Sequence, residues 1–239
     1  ANGAATVYVQ VALSQEDKAY MDQYYENGIY VDGFVRLYAM NGSAVDLSLP
    51  FVGFYGDWSD ARVFDSGWYY QGVDTVVNRY MNVLFTDFGP DASNMSNLGL
   101  NPYIQEPYDP AHNVLSPNGD GYLDKIGEIY LGMMRSAELV DFTWLNEAGE
   151  ELFYEWAPYV RKSYYWNGYG VCMPMVYTNY CKPYDFKDET GAYMVANNDK
   201  VTLHIDAFLD DGELDDGRAD EADLDERITV PVIIDTQAP

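Results

Sequence analysis

Histidine and cysteine each occur only twice in the 239 residues, and lysine plus arginine 13 times against 39 aspartates and glutamates. The shortage of bases excludes a nucleic-acid binder by bulk electrostatics, because a net charge of −26 repels phosphate everywhere. It disfavours docking on an anionic membrane surface equally, and favours divalent cations. No run of 18 apolar residues exists, so no membrane insertion is expected in this segment. A charged-then-apolar leader is also missing, and the chain begins Ala1-Asn2-Gly3, so it reads as a piece of a longer protein.

Two cysteines do not make a disulfide scaffold. Cys172 and Cys181 are spaced to close a short loop as a disulfide, with two free thiols as the alternative. The scarcity of histidine limits catalysis in the same way. His112 sits in a proline-rich stretch, and His204 alternates with Leu203 and Ile205 as a strand-face residue rather than a general base. There is no Gly-x-Ser-x-Gly elbow, no phosphate-cradling glycine loop and no zinc spacing of His and Cys. With 39 acids, any carboxylate pair suited to glycoside hydrolysis is uninformative. No enzyme is expected in this chain.

What is present is apolar and aromatic: 48% hydrophobic residues and 16% aromatics, enough to offset the entropy of ordering. The length suits one large β-domain or two ordinary ones. Val7, Val9, Val11 and Leu13 alternate as a strand would. Ser14 then caps a short helix with Glu16 and Asp17 in its first turn, ending before Asn27-Gly28. Two β-rich runs, 29–39 and 45–55, join through Asn41-Gly42 and predict a hairpin. A further strand is predicted over 78–87.

From Gly89 to His112 the pattern lapses into repeated X-Pro pairs, which places a boundary near residue 110. Strands are predicted again over 125–134, 137–145, 151–156, 199–209 and 227–234, with a turn at 146–149. Helical periodicity is nearly absent. The expected fold is all-β: two tandem antiparallel β-sandwiches, residues 1–110 and 111–239. Asp210–Arg227 carries 10 acids and 2 bases between two predicted strands. It reads as a solvated, self-repelling acidic loop more readily than as an ion site, since Gly217 is not at the offset a calcium loop requires.

The sharpest local signal is Ser116-Pro117-Asn118-Gly119-Asp120-Gly121-Tyr122-Leu123-Asp124. Side-chain oxygens at 118, 120 and 124, with the Tyr122 carbonyl between them, are positioned to converge on one hard cation, while Gly119 and Gly121 permit a tight turn. The distal bidentate Glu of a helix-loop-helix site is missing, so further ligands would come from elsewhere in the fold. A plain turn that binds nothing is the equal alternative. Aromatics gather near loops as Trp58, Trp68, Tyr69, Tyr70 and Tyr164-Tyr165-Trp166. They are suited to stacking on sugars or gripping a peptide, although plugging seams between domains is the simpler use.

Three stretches taken together carry a resemblance. Gly33-Phe34-Val35-Arg36-Leu37, then Leu49-Pro50-Phe51-Val52-Gly53-Phe54-Tyr55-Gly56-Asp57-Trp58 and Val63-Phe64-Asp65, resemble the fibronectin type III-like domain of cell-envelope subtilisin-like serine proteases. That family includes lactocepin and the complement-cleaving cell-wall peptidases. Its second domain opens with Ser-Pro-Asn-Gly-Asp-Gly, here Ser116–Gly121, and closes on Asp-Thr-x-Ala-Pro, here Asp235–Pro239.

The resemblance implies a non-catalytic accessory region of a secreted, cell-wall-attached protease of Gram-positive type. It implies calcium held by Asn118, Asp120, Asp124 and the Tyr122 carbonyl. The implied partners are the catalytic domain of the same parent chain and a protein or peptide substrate, which Trp58, Trp68, Tyr69 and Tyr70 would border. The cysteine pair, the Tyr159–Tyr184 stretch and the acidic loop depart from the family pattern. The competing expectations are a glycan- or protein-binding adhesin module and a purely structural stalk.

Overall fold

The computed structural model describes residues 6–40, 44–64, 83–88, 94–99, 110–162, 175–176, 185–210 and 222–237. The elements, in chain order, are α1 (Gln15–Tyr24), β1 (Ile29–Leu37), β2 (Leu47–Tyr55), β3 (Val83–Phe88), β4 (Asn94–Asn97), β5 (Val114–Leu115), β6 (Tyr122–Leu131), β7 (Ala137–Leu145), β8 (Glu151–Val160), β9 (Met175–Val176), β10 (Lys200–Phe208) and β11 (Glu226–Ile234). Among the described residues the structure is mostly β-strand, with α1 and a 3-10 turn at Pro110–His112 as helical elements, consistent with an all-β fold. No helix among the described residues is long and apolar enough to cross a membrane.

Two compact units are present, 1–61 and 62–239. In the first, α1 starts where the sequence predicts. Ser14 Oγ accepts from Asp17 N at 3.0 Å, and Asp17 Oδ2 accepts from Ser14 N at 3.3 Å, a reciprocal cap that satisfies two orphan donors. The strand expected over 7–13 does not form. Val7, Val9 and Val11 are more than half exposed, because alternation supplies a face but no neighbouring strand pairs with it. β1 and β2 pair antiparallel from Ile29↔Tyr55 to Leu37↔Leu47, as expected of a hairpin; Asn41-Gly42 itself lies outside the described residues. Tyr55 OH donates to Asp22 Oδ1 at 2.9 Å and ties α1 to β2. No described residue of this unit is buried.

The second unit has a core. One sheet runs β5-β11-β10-β7-β8, the other β4-β3-β6-β9. Cross-strand rows Trp144–Leu203–Val230 and Phe142–Ile205–Ile228 line one inner face. Leu84, Ile126, Ile129 and Leu131 come from the other sheet, and all ten belong to one buried cluster. Trp144 and Phe186 meet edge to face with centroids 5.1 Å apart. Ile126 and Ile129 are both buried although three apart, because the β3–β6 register shifts between Phe85 and Thr86. β11 pairs with β5 in parallel; every other described strand pair is antiparallel.

β3 and β4 precede residue 110 in sequence, yet they share a sheet with β6, which follows it. The compact units therefore meet at 61/62, upstream of the boundary that the X-Pro pairs suggest. The unit opens with Val63 and Phe64, whose N–H groups both donate to Glu226 Oε2 at 2.6 and 2.8 Å.

Candidate functional site

The Ser116–Asp124 segment connects β5 to β6 and is organised around one carboxylate. Asp124 Oδ1 accepts from Asn118 N and Gly119 N at 2.9 and 2.6 Å, and Oδ2 accepts from Gly121 N at 2.7 Å. Two successive side-chain turns fill the interval. Asn118 Oδ1 accepts from Asp120 N, and Asp120 Oδ1 from Tyr122 N, each at 2.9 Å. Gly119 and Gly121 sit at φ of +85° and +87°, and Leu123 reaches +58°, a left-handed conformation that costs a branched residue energy. Ser116 N closes the loop on the Leu123 carbonyl at 2.7 Å.

Asn118, Asp120 and Asp124 are thus brought into one loop, together with Tyr122 at the start of β6. Their donors are all hard oxygens, which fits calcium rather than zinc. Each side chain already accepts a backbone N–H, so the loop is internally satisfied. Among the described residues no group of three or more His, Cys, Asp or Glu converges as a metal cluster. A carboxylate from elsewhere does approach. Asp87 on β3 is 5% exposed and accepts from Lys125 N at 3.2 Å. Burial pushes its pKa up, and the negative charge of Asp124 adds to the effect. Sequence spacing had no means of finding Asp87, 37 positions upstream of Asp124.

A second polar row was equally invisible. On the outer face of the five-stranded sheet, Asp141 and Asp206 stand directly opposite each other, 4% and 7% exposed. Arg227 grips Asp206 with Nε to Oδ1 and Nη2 to Oδ2, both at 2.7 Å, and Tyr154 OH donates to Asp141 Oδ2 at 2.9 Å. The bidentate fork makes a pair of facing acids tolerable in a buried position. Farther along the same face a shallow cleft of about 520 Å³ lies against Leu145, Thr202, His204, Pro231 and Ile233. His204 is a half-buried strand residue there, as expected, with Thr143 and Thr229 as cross-strand neighbours. His112 is exposed.

In the first unit, Trp58 follows β2 and is 41% exposed. It meets Phe54 at 5.0 Å and Tyr30 at 6.0 Å, and Tyr30 meets Phe54 at 5.4 Å, with interplanar angles of 70° to 84°. Asp57 shapes the turn that presents it. Its Oδ1 accepts from Ser59 N and Oγ at 3.0 and 2.7 Å, and those bonds lower the Asp57 pKa. Rings set edge-on bury one another's faces and offer no flat common platform. Trp68, Tyr69, Tyr70, Tyr164, Tyr165, Trp166, Cys172, Cys181 and residues 211–221 lie outside the described residues. No protein-family model matches the chain, and no curated protein matches it at a significant level.

Proposed function

We propose that this chain is the non-catalytic accessory region of a secreted, cell-surface subtilisin-like serine protease. In this reading it packs on the catalytic domain of the parent chain and contributes to recognition of a protein or peptide substrate. In this reading residues 1–110, with the 29–58 hairpin, form the fibronectin type III-like module and residues 111–239 the Ig-like module. The observation that carries the proposal is the Ser116–Asp124 loop, which closes on Asp124 and leads into β6, a strand of the four-stranded sheet. The family-like Gly53–Trp58 stretch supports it by ending β2 and supplying Phe54 and Trp58 to an exposed aromatic cluster.

Calcium at this loop would be held by Asn118, Asp120, Asp124 and the Tyr122 carbonyl, stiffening the start of the second module. These donors are fewer than the six to eight calcium takes, so water would complete the shell. The test is thermal unfolding of the whole chain in calcium and in chelator. A ligand bound only by the native state raises stability by about 2.7 kcal/mol at a hundredfold excess over Kd. The expected result is a raised midpoint that Asp120→Ala abolishes. No shift would leave Ser116–Asp124 a plain turn and remove the main support for the family reading. In the parent protease, deleting Ser59–Gly72 should alter cleavage preference; unchanged kinetics on protein substrates would overturn the role in substrate recognition.

The exposed Tyr30–Phe54–Trp58 cluster favours one alternative, an adhesin module. Its edge-on geometry suits a protein ligand better than the flat face of a sugar. Aromatic-dependent binding on a glycan array would speak against the accessory role.

A further inference from the structure

The hairpin of the first unit has an edge that no described strand covers, and its hydrogen-bonding phase is fixed by one proline. Pro50 lies within β2 opposite Phe34. Lacking an N–H, it cannot exchange both bonds of a hydrogen-bonded pair, so Phe34↔Pro50 is a non-hydrogen-bonded pair. The alternation of an antiparallel ladder then turns the N–H and C=O groups of Tyr30, Asp32, Phe34 and Arg36 away from β2. Among the described strands β1 pairs with β2 alone, so no described strand meets these groups. Their side chains share one face and are exposed, Tyr30 by 59% and Phe34 by 62%. β2 is the poorer edge, because at Pro50 it presents no donor.

The geometry points to a second copy of this chain pairing antiparallel along the β1 edge, about a two-fold axis through Phe34. That axis sets Phe34 against Phe34 and Tyr30 against Tyr38. It sets Asp32 of each copy against Arg36 of the other, because the two charges lie two residues either side of Phe34 and flank it with opposite sign. Neither Asp32 nor Arg36 has an ion-pair partner among the described residues. Phe34, Asp32 and Arg36, which meet their counterparts about this axis, all have outward-pointing backbone groups, so the ladder and the charges agree on one register. A two-stranded sheet with no buried residue is marginal in water, and four strands with paired aromatics are not. The first unit carries 8 acids and 2 bases, so most of the −26 that would repel a second copy resides elsewhere in the chain. A single edge contact falls below about 1,200 Å², the range of weak association.

The experiment is sedimentation velocity of the whole chain up to millimolar concentration in about 0.15 M salt, which screens charge beyond about 8 Å. The expected result is a concentration-dependent rise from monomer to dimer. Asp32→Arg or Arg36→Asp alone places like charges opposite each other twice and weakens association about tenfold or more. The double variant restores it, and a mixture of the two single variants forms the heterodimer. Phe34→Pro removes the central outward N–H while sparing the β1–β2 ladder, and abolishes association. A monomer at every concentration overturns the proposal. So does a dimer indifferent to these substitutions, which would use another surface.

Discussion

Arg227 and Asp206 face each other on neighbouring strands and share two parallel hydrogen bonds of 2.7 Å, with the side chain of Asp206 only one-tenth exposed. The fork neutralises one of two carboxylates that the β7–β10 register sets side by side, while Tyr154 holds the other. Local sequence gives no hint of this arrangement.

Removing Arg227 leaves Asp206 charged, buried and beside Asp141. Arg227→Ala should cost about 3–5 kcal/mol in urea unfolding. Arg227→Met combined with Asp206→Leu should cost clearly less, since no unpaired charge remains. Equal losses in both variants would show that packing, not charge, sets the cost.

The loop before β6 hangs on Asp124. Asp124→Ala should destabilise the chain by about 1–3 kcal/mol even in chelator, because three backbone N–H groups lose their acceptor. Amide exchange at Asn118, Gly119 and Gly121 should speed up in step. Unchanged exchange would contradict the hydrogen bonding of the loop.

Asp87 sets a pH dependence of opposite sign to the usual carboxylate. Its pKa is raised in the folded state, so between the ordinary Asp value and the raised one the native chain binds more protons than the unfolded chain. Stability from this group therefore falls as pH rises through that window. Asp87→Asn keeps an acceptor for Lys125 N and removes the dependence. Its melting temperature should exceed that of the parent at pH 7, with the gap closing as pH falls towards 3. Asp57 and Asp188, both lowered by hydrogen bonds, contribute in the other direction, losing stability as pH falls below their ordinary value. A constant gap across pH would refute the assignment to Asp87.

Gly56 and Gly28 meet at the open end of the hairpin. Gly56 has φ of +128°, and a Cβ there would lie 2.7 Å from the Gly28 Cα. Gly56→Ala should cost about 1–3 kcal/mol and disorder the Tyr30–Phe54–Trp58 cluster, read as a loss of near-ultraviolet circular dichroism. Retention of that signal would mean the hairpin tolerates a shift.

The sequence by itself determined the elements whose signals are local. The Ser14–Asp17 cap, the 29–55 hairpin, the turn at Asn146–Gly149 and the strands β7, β10 and β11 all follow from neighbouring residues and a period of two. The tertiary structure decided what depends on partners far away in the chain. Val7–Leu13 has the alternation of a strand and forms none, because a strand exists only against another. β3 joins β6 across the X-Pro pairs, Asp87 comes to rest beside Asp124, and Asp141 faces Asp206. Each of these juxtapositions depends on strand register, and register is chosen by burying one common core rather than by any short stretch of residues.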